Sequence, residues 1–461
     1  MSNSDLFNSK IKPIPRIRPD LDLIPVQNNG DSYLYFHDMR GYATADFALE
    51  YGAQQILSLF DGRKSVNDLE SRLGQNVGAN QLLEYVQFLD EHRVLYSPRF
   101  KSFAEQYEQQ YEASAVHQSV TAGQSYPADP EKLQLFLDDA FEKHGQNDQA
   151  FSAKLDNNIE KSSPEGIPLE DSFVIPPHCA QTDAILIRQP AEKRSRNMSS
   201  QIKALYAPHI DPRVGMETYV KSFQLLKNLT PKRVVILATS HHSSLHANLY
   251  ENNPFIVSEK DFEMPMGTVR NDKKAVEKLR QSSNECGLSD RDRAHRIEHS
   301  IELHLLFLQY IWNHEFSIVP IVVGGFDELF YMEEGHLGKQ IDNFAEHLHD
   351  QFGSDEETLF LISGDMAHVG KKFGDDRPAV MMQKEVEKFD EQFLWAGTNG
   401  STQRMLQLMK RNYDPYHICG FPPLYTFLKA FPQLKGEVVS YNRWDETERE
   451  SAVTFSSILY K

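Results

Sequence analysis

Four short apolar runs, rich in β-branched residues, lie in the second half of this chain and are separated by segments with helical periodicity. Runs of this kind are typical of strands buried on both faces, as in the parallel sheets of α/β proteins. The predicted strands are 203–206, 234–238, 316–323 and 359–362, and the predicted helices are 216–229, 297–312, 337–352 and 379–396. We therefore predict an α/β fold whose central sheet is mixed or parallel and is flanked by helices.

Histidine follows three of these four predicted strands. His209, His241 and His368 stand beyond strand ends, and Asp365 follows the same strand as His368. Open α/β sheets bind ligands beyond the carboxyl ends of their strands, where side chains from separate strands converge. Converging imidazole and carboxylate groups can hold a divalent metal ion, and the thiolate of Cys419, in a Gly/Pro-shaped turn, could join them. Buried structural histidines are the alternative explanation.

Charge and composition argue against several classes of partner. The chain has 461 residues, enough for two or three domains, and a formal net charge of −18 at pH 7. A negative charge of this size repels nucleic-acid phosphates and anionic lipid, and no apolar run reaches the length of a membrane span. The three cysteines lie far apart, which is typical of a reducing compartment. We expect a cytoplasmic protein that binds neither nucleic acid nor membrane.

The first hundred residues have a different pattern. Residues 1–30 are Pro-rich and irregular, whereas 41–96 predict three short helices, the first with Phe47 and Leu49 on its apolar side, followed by a short strand at 94–96. This order is typical of a winged-helix module. The predicted domains are a small winged-helix α+β domain with an N-terminal tail at 1–100, a linker helix at 101–116, and an α/β domain at 117–461 that is interrupted by a polar insertion at about 145–200, with one strand at 184–187.

The winged-helix region resembles the PqqD-like peptide-recognition domain that accompanies radical-chemistry peptide-modifying systems. The resemblance covers residues 20–98 and depends mainly on the segments 55–65 and 88–95. It implies a peptide or leader peptide as partner, bound along a strand edge. A DNA-binding winged helix and a packing domain are the alternatives, and the excess of acidic over basic residues between Gly41 and Tyr96 argues against DNA.

The rest of the chain resembles the MEMO family, which is itself similar to the class III extradiol dioxygenases. The resemblance covers about 117–461 outside the insertion, begins weakly at 122–127, and depends on the blocks 207–209, 236–242, 298–305, 318–324, 363–370 and 418–420. Within the family, fusion to the front module resembles AmmeMemoRadiSam system protein B, which implies a radical-SAM partner protein.

The resemblance to the MEMO family implies a metal centre. His209 and His241 match the family's metal histidines, and Cys419 matches its thiolate ligand. Asp365 and His368 match a polar pair that could ligate the ion or transfer protons. Extradiol enzymes hold Fe(II) with two histidines and a carboxylate, so this site would hold a divalent metal, with Fe(II) expected and copper or zinc as alternatives.

Four further residues are predicted to lie at the pocket. His242 would support the site behind the ligands. Asp211 stands where the family usually has a small residue and would add negative charge beside the metal. His299 and Glu302 either line the pocket rim or belong to a structural core helix, on which Glu298 and Glu302 would share one face.

Three functions remain open from the sequence. The first is a metal-dependent, dioxygenase-like oxidoreductase that uses Asp365 or His368 to move protons. The second is a non-catalytic metal-binding or interaction protein. The third is a component of a peptide-modification system in which the winged-helix domain presents a peptide to the α/β pocket.

Overall fold

A computed structural model describes residues 6–73, 77–145, 202–281 and 283–461. Two compact units are present, Met1–Ser114 and Ala115–Lys461, and each is described by itself. The predicted insertion at about 145–200 and its strand at 184–187 lie outside the described residues, apart from Gly145. Among the described helices none has both the length and the apolar character needed to cross a membrane.

The first unit contains a small antiparallel sheet and short helices. Its strands are β1 (Asp22–Asn28), β2 (Asp31–His37) and β3 (Ala48–Glu50), in the order β1-β2-β3, and its helices are Ala53–Leu57, Val66–Leu73, Ala79–Glu91 and Pro98–Ala113. Asn29 and Gly30 connect β1 to β2 with φ of 52° and 93°. Two consecutive residues with positive φ make the tight turn that matches the twist of a hairpin.

Two local predictions in this unit are wrong. Phe47 and Leu49 do not begin a helix, because Leu49 pairs with Leu34 of β2 and both side chains face the core of the unit. Residues 94–96 do not form a strand, since Leu95 makes only an isolated bridge to Ile17. In both places the apolar pattern fits either a helix or a strand. Pairing with a distant segment of the folded unit determines which of the two forms.

The second unit is built on a large mixed sheet, which confirms the predicted fold class. Its strands are β4 (Val116–Gln118), β5 (Ala204–Ala207), β6 (Arg233–Thr239), β7 (Phe255–Val257), β8 (Asp261–Met264), β9 (Gly267–Asn271), β10 (Leu288–Ser289), β11 (Ser317–Val323), β12 (Thr358–Ser363), β13 (His368–Gly370), β14 (Gly436–Glu446) and β15 (Ser451–Tyr460). The main path runs β13-β15-β5-β12-β6-β11-β9-β8-β4, and β14 pairs with β15. The central strands β5, β12, β6 and β11 are parallel, whereas β15 joins β5 antiparallel.

Helices cover both faces of this sheet. They are Pro130–His144, Pro212–Phe223, Ala247–Tyr250, Lys273–Arg280, Ser283–Cys286, Glu302–Ile311, Glu328–Tyr331, His336–Phe352, Ala379–Thr398, Thr402–Lys410 and Phe421–Ala430. The four central strands are buried almost throughout, because side chains on each face pack against a separate apolar cluster. Their continuous apolar sequences follow from burial on both faces.

Two glycines allow the loops after β12 and before helix Phe421–Ala430 to touch. A Cβ atom on Gly364 would lie 2.2 Å from the Cα atom of Gly420. No side chain fits at this distance, so the backbone of one loop rests directly on the other. The contact places Asp365 beside Cys419, because each residue neighbours one of the two glycines.

Gly364→Ala should therefore destabilise the protein by about 1–3 kcal/mol, since the added methyl group must push the two loops apart. Urea unfolding measures the change. Gly325→Ala is the matched control, because Gly325 also follows a central strand but its Cβ would meet nothing closer than 3.7 Å. Equal stability of the two variants would contradict this account of the contact.

Candidate metal centre

Hydroxyl groups tie together the loops at the carboxyl ends of the central strands. Thr239 Oγ1, at the end of β6, donates to the carbonyl of Cys419 at 2.7 Å. Ser300 Oγ donates to the carbonyl of Thr239, and Ser363 Oγ donates to the carbonyl of Ser300, each at 2.7 Å. Four segments that are distant in sequence are therefore held at one place on the sheet edge.

His209 is buried, and its hydrogen bond to Ser363 determines its tautomer. Ser363 Oγ already donates its single proton to Ser300, so it must accept at 3.0 Å from the Nδ1–H of His209. The lone pair of His209 is consequently on Nε2, which lies 3.3 Å from the Sγ atom of Cys419. A neutral imidazole nitrogen and a sulfur atom thus face each other.

His241 is held by Glu298, a buried carboxylate. One oxygen of Glu298 lies 2.9 Å from Nδ1 of His241, and the other accepts the backbone N–H of His241 at 2.7 Å. Burial alone would lower the pKa of His241, but Glu298 and the Cys419 thiol raise it well above its usual value. Burial alone would raise the pKa of Glu298, but His241 lowers it well below its usual value. Nδ1 is committed to Glu298, which leaves Nε2 to face the centre.

Two sets of potential donor atoms share His209. In one set, the donor atoms of His209, His241 and His299 lie within 4.8 Å of one another, and in the other set those of His209, Asp365 and Cys419 do. Since Nδ1 of His209 is bonded to Ser363, Nε2 is the nitrogen of His209 that the two sets can share. The predicted ligands are therefore divided between the two sets found among the described residues: His209 and His241 lie with His299 in one, and His209 and Cys419 lie with Asp365 in the other.

Burial controls the protonation of the remaining groups. It raises the pKa of Asp365 to about 7, against the opposing effect of the backbone N–H groups of His209 and Ile210. Burial also raises the pKa of the Cys419 thiol, although a hydrogen bond with His241 opposes this. Burial and His241 lower the pKa of His299 to about 4, so its imidazole is neutral near pH 7.

His368 is near the centre but outside both donor sets. It begins β13, and its Nδ1 lies 3.0 Å from the carbonyl oxygens of Met366 and of His417. Carbonyls only accept, so Nδ1 carries the proton and Nε2 carries the lone pair. Burial lowers the pKa of His368 to about 4.

The other predicted pocket residues have separate positions. His242 is partly buried, and its ring centroid lies 6.1 Å from that of His241. Asp211 caps helix Pro212–Phe223. Its carboxylate accepts hydrogen bonds from Arg213 and Ser125.

Glu302 has a structural position away from the donor sets. It is buried and accepts hydrogen bonds from Val120, Thr121 and Tyr126, which fastens the segment after β4 to the helix Glu302–Ile311.

The prediction that Glu298 and Glu302 share a helix face is wrong. The helix begins at Glu302, and residues 296–301 form a turn before it. Glu298 closes that turn by accepting the backbone N–H groups of His299 and Ser300. A carboxylate that satisfies backbone donors in this way competes with helix formation. The role of Glu298 as the partner of His241 was consequently not predicted, because its signal in the sequence is no more than an acidic residue next to a histidine.

Comparison with known proteins identifies the family. Residues 180–459, more than half of the chain, match the family described as Memo-like protein, and this range contains every candidate donor. The chain belongs to the Memo-like family.

Relatives in this family come from bacteria, archaea and animals. The chain is 22% identical over 412 residues to a MEMO1 family protein of Aquifex aeolicus, which covers 88% of the chain and 90% of that protein. It is 27% identical over 233 residues to the memo-1 homolog of Caenorhabditis elegans, covering 50% and 61%, and 28% identical over 213 residues to a MEMO1 family protein of Methanosarcina barkeri, covering 45% and 70%. The Aquifex alignment is too long to lie within Ala115–Lys461, so it extends into the first unit.

In the Memo-like protein without a bound ion, Glu298→Gln should lower the free energy of unfolding by about 1–3 kcal/mol, because it removes the charge of a buried carboxylate that is paired with the partly exposed His241. The contribution of Glu298 is complete above its unfolded pKa of 4.5, and that of His241 is complete below 6.5 and is lost as pH rises through its higher folded value. The loss should therefore be largest between about pH 4.5 and 6.5 and should shrink at higher pH. Urea unfolding at several pH values measures it.

Glu302→Gln is the control for this pH dependence. Its carboxylate is equally buried but bonds to backbone and hydroxyl groups rather than to a histidine. Its effect should not decline above pH 6.5. A Glu298→Gln effect that stays constant from pH 5 to 9 would contradict the ion pair with His241.

Proposed function

We propose that this Memo-like protein binds one divalent metal ion through His209, His241 and Cys419. The observation that carries the proposal is the lone pair on Nε2 of His209, which accepts from the Cys419 thiol at 3.3 Å while Nδ1 is bonded to Ser363. Imidazole and thiolate are ligands for several transition metals. The two histidines follow the strands β5 and β6, and Cys419 lies just before helix Phe421–Ala430. The donor chemistry therefore fits a metal ion.

The donor types and the resemblance to extradiol enzymes favour different metals. Two imidazoles and a thiolate are softer than the two histidines and carboxylate that hold Fe(II) in oxygenases. We propose Fe(II) on the resemblance to extradiol enzymes, with copper and zinc as the alternatives that the thiolate favours.

Dioxygenase-like oxidation is the reaction proposed for this centre. The bound metal would supply a Lewis-acidic position for dioxygen or for a substrate with two oxygen donors. Asp365 has a pKa of about 7 and can give or take a proton near neutral pH at a carboxylate that lies in the donor cluster. His368 keeps Nδ1 on two carbonyls, so Nε2 is its proton acceptor. Metal binding without turnover, as in an interaction protein, is the alternative.

Cys419→Ala and His241→Ala should each reduce the metal content of the purified protein sharply, because each removes one of three ligands. Elemental analysis of protein purified without air measures the metal-to-protein ratio and identifies the metal. Glu302→Gln should leave the ratio nearly unchanged, since Glu302 binds the segment after β4 and no donor. Unchanged ratios in both ligand variants would refute this ligand set.

We also propose that the first unit binds an extended peptide, as its resemblance to PqqD-like domains implies. The supporting observation is β1, which forms an edge of its sheet and exposes Leu23, Ile24 and Val26. An exposed edge with apolar side chains can pair with an added strand. In a system of the AmmeMemoRadiSam type, the peptide would be a leader peptide and a radical-SAM enzyme would be the partner.

Ile24→Lys should weaken peptide binding by the full-length protein, since it places a charge on the pairing strand. Fluorescence anisotropy with labelled short peptides encoded near the gene measures the affinity. Ile11→Lys is the control, because Ile11 is 80% exposed in the same unit but lies outside the sheet. No binding to any such peptide, or equal binding by both variants, would argue against this surface.

A further inference from the structure

His299 lies in the turn before helix Glu302–Ile311, and its ring is close to two proposed ligands. It stacks on His241 with ring centroids 5.1 Å apart and an interplanar angle of 11°. It meets the ring of His209 edge-on at 5.6 Å and 81°. One nitrogen from each ring lies within 4.8 Å of the others, so three imidazoles from three separate segments surround one point.

The ring of His299 has no hydrogen bond that explains its position. Nδ1 of His209 is bonded to Ser363, and Nδ1 of His241 to Glu298. Among the described residues, neither ring nitrogen of His299 has a hydrogen-bond partner, and its nearest carboxylate oxygen, on Glu298, is 3.6 Å away. Both nitrogens of His299 are therefore available to a ligand.

The backbone of His299 is fixed although its ring is not. The same oxygen of Glu298 accepts the backbone N–H of His299 at 3.0 Å and contacts Nδ1 of His241 at 2.9 Å. One carboxylate thus holds the turn that carries His299 against the loop that carries His241. The side chains of His299 and His241 are 33% and 29% exposed, whereas that of His209 is 2% exposed. Because Glu298 holds Nδ1 of His241, His299 is the ring with room to rotate.

One ion can be bound by all three imidazoles only if one of the rings moves. Two nitrogens bound to one tetrahedral ion at about 2.0–2.1 Å are roughly 3.4 Å apart. The three imidazole nitrogens are spread over as much as 4.8 Å, so a bound ion needs a movement of about 1 Å. His209 and His241 are fixed by their hydrogen bonds. Rotation of the His299 ring would bring its nitrogen close enough to share one ion with theirs.

We propose that His299 is a fourth protein ligand that joins His209, His241 and Cys419, an inference that rests on the proposed metal-binding function. An ion that prefers four ligands, such as Zn²⁺, then has no position left for a substrate. A six-coordinate ion such as Fe(II) keeps two positions open. The ligand set therefore makes reactivity depend on which metal is bound.

Titration of metal-free, full-length protein with Co²⁺ without oxygen tests this ligand set by visible absorption. The wild-type protein should bind one equivalent with the intense spectrum of four-coordinate Co²⁺ and a thiolate-to-cobalt band, and added azide should not change that spectrum. His299→Ala should bind Co²⁺ on the order of 10–100-fold more weakly. Its spectrum should respond to azide, because the fourth position is then open, and added imidazole should restore the wild-type spectrum.

Two further variants make the outcome decisive. His299→Asn keeps a polar side chain in the turn and should behave as His299→Ala, which separates lost coordination from lost folding. His242→Ala removes a neighbouring histidine outside the donor sets and shows whether that residue, rather than His299, supplies the fourth ligand.

Each contrary result has a distinct meaning. Absence of Co²⁺ binding by the wild-type protein would overturn the proposed function itself. Stoichiometric binding with equal affinity and equal azide response in wild-type, His299→Ala and His299→Asn would overturn only the role of His299. A loss of Co²⁺ affinity in His242→Ala with none in His299→Ala would assign the fourth ligand to His242. That result would also overturn the role of His299.

Discussion

The hydroxyl group of Ser363 is the contact on which the centre depends. It donates to the carbonyl of Ser300 and accepts from Nδ1 of His209, so it joins the end of β12 to the turn at 296–301 and to the loop after β5. A hydroxyl has one proton to give, and the direction of both bonds is therefore fixed. The tautomer of His209 follows, and with it the nitrogen that faces Cys419. One serine thus determines both where the loops meet and which atom is presented there.

The strands could be predicted from sequence because their physical signal is local. β5, β6, β11 and β12 are buried on both faces, so nearly every residue in them is apolar and the runs stand out to within one or two residues. The approach of His209, His241 and Asp365 could also be predicted, because each follows a strand of one parallel sheet. Cys419 precedes a helix rather than following a strand, and its place came from resemblance to the MEMO family.

What could not be predicted depends on contacts between distant segments. The apolar residues Ile297 and Ile301 extend the helical pattern of Glu302–Ile311 toward its amino terminus, yet the carboxylate of Glu298 takes the backbone donors of that turn. The role of Glu298 requires knowing that the loop after β6 lies beside the turn. In the first unit, Leu49 fits a helix by spacing, and only its pairing with β2 shows that it is in a strand. Local periodicity predicts the correct element only where residues close in sequence make the contacts that determine it.

The pKa shifts at the candidate centre determine which protons an ion would have to displace. Glu298 raises the pKa of His241 above its usual value, burial raises that of the Cys419 thiol, and Asp365 sits near 7. An ion at the proposed centre would bind the neutral imidazole and the thiolate, so it would expel a proton from His241 and another from Cys419. If Nε2 of His241 bound the proposed ion, Nδ1–H would still donate to Glu298, and the buried carboxylate would keep a partner with and without the ion. In the proposed centre Glu298 would therefore face the positive charge of an imidazolium before the ion binds and that of a metal-bound imidazole afterwards. One buried acid would then serve both the folding of the protein and the proposed binding of the ion.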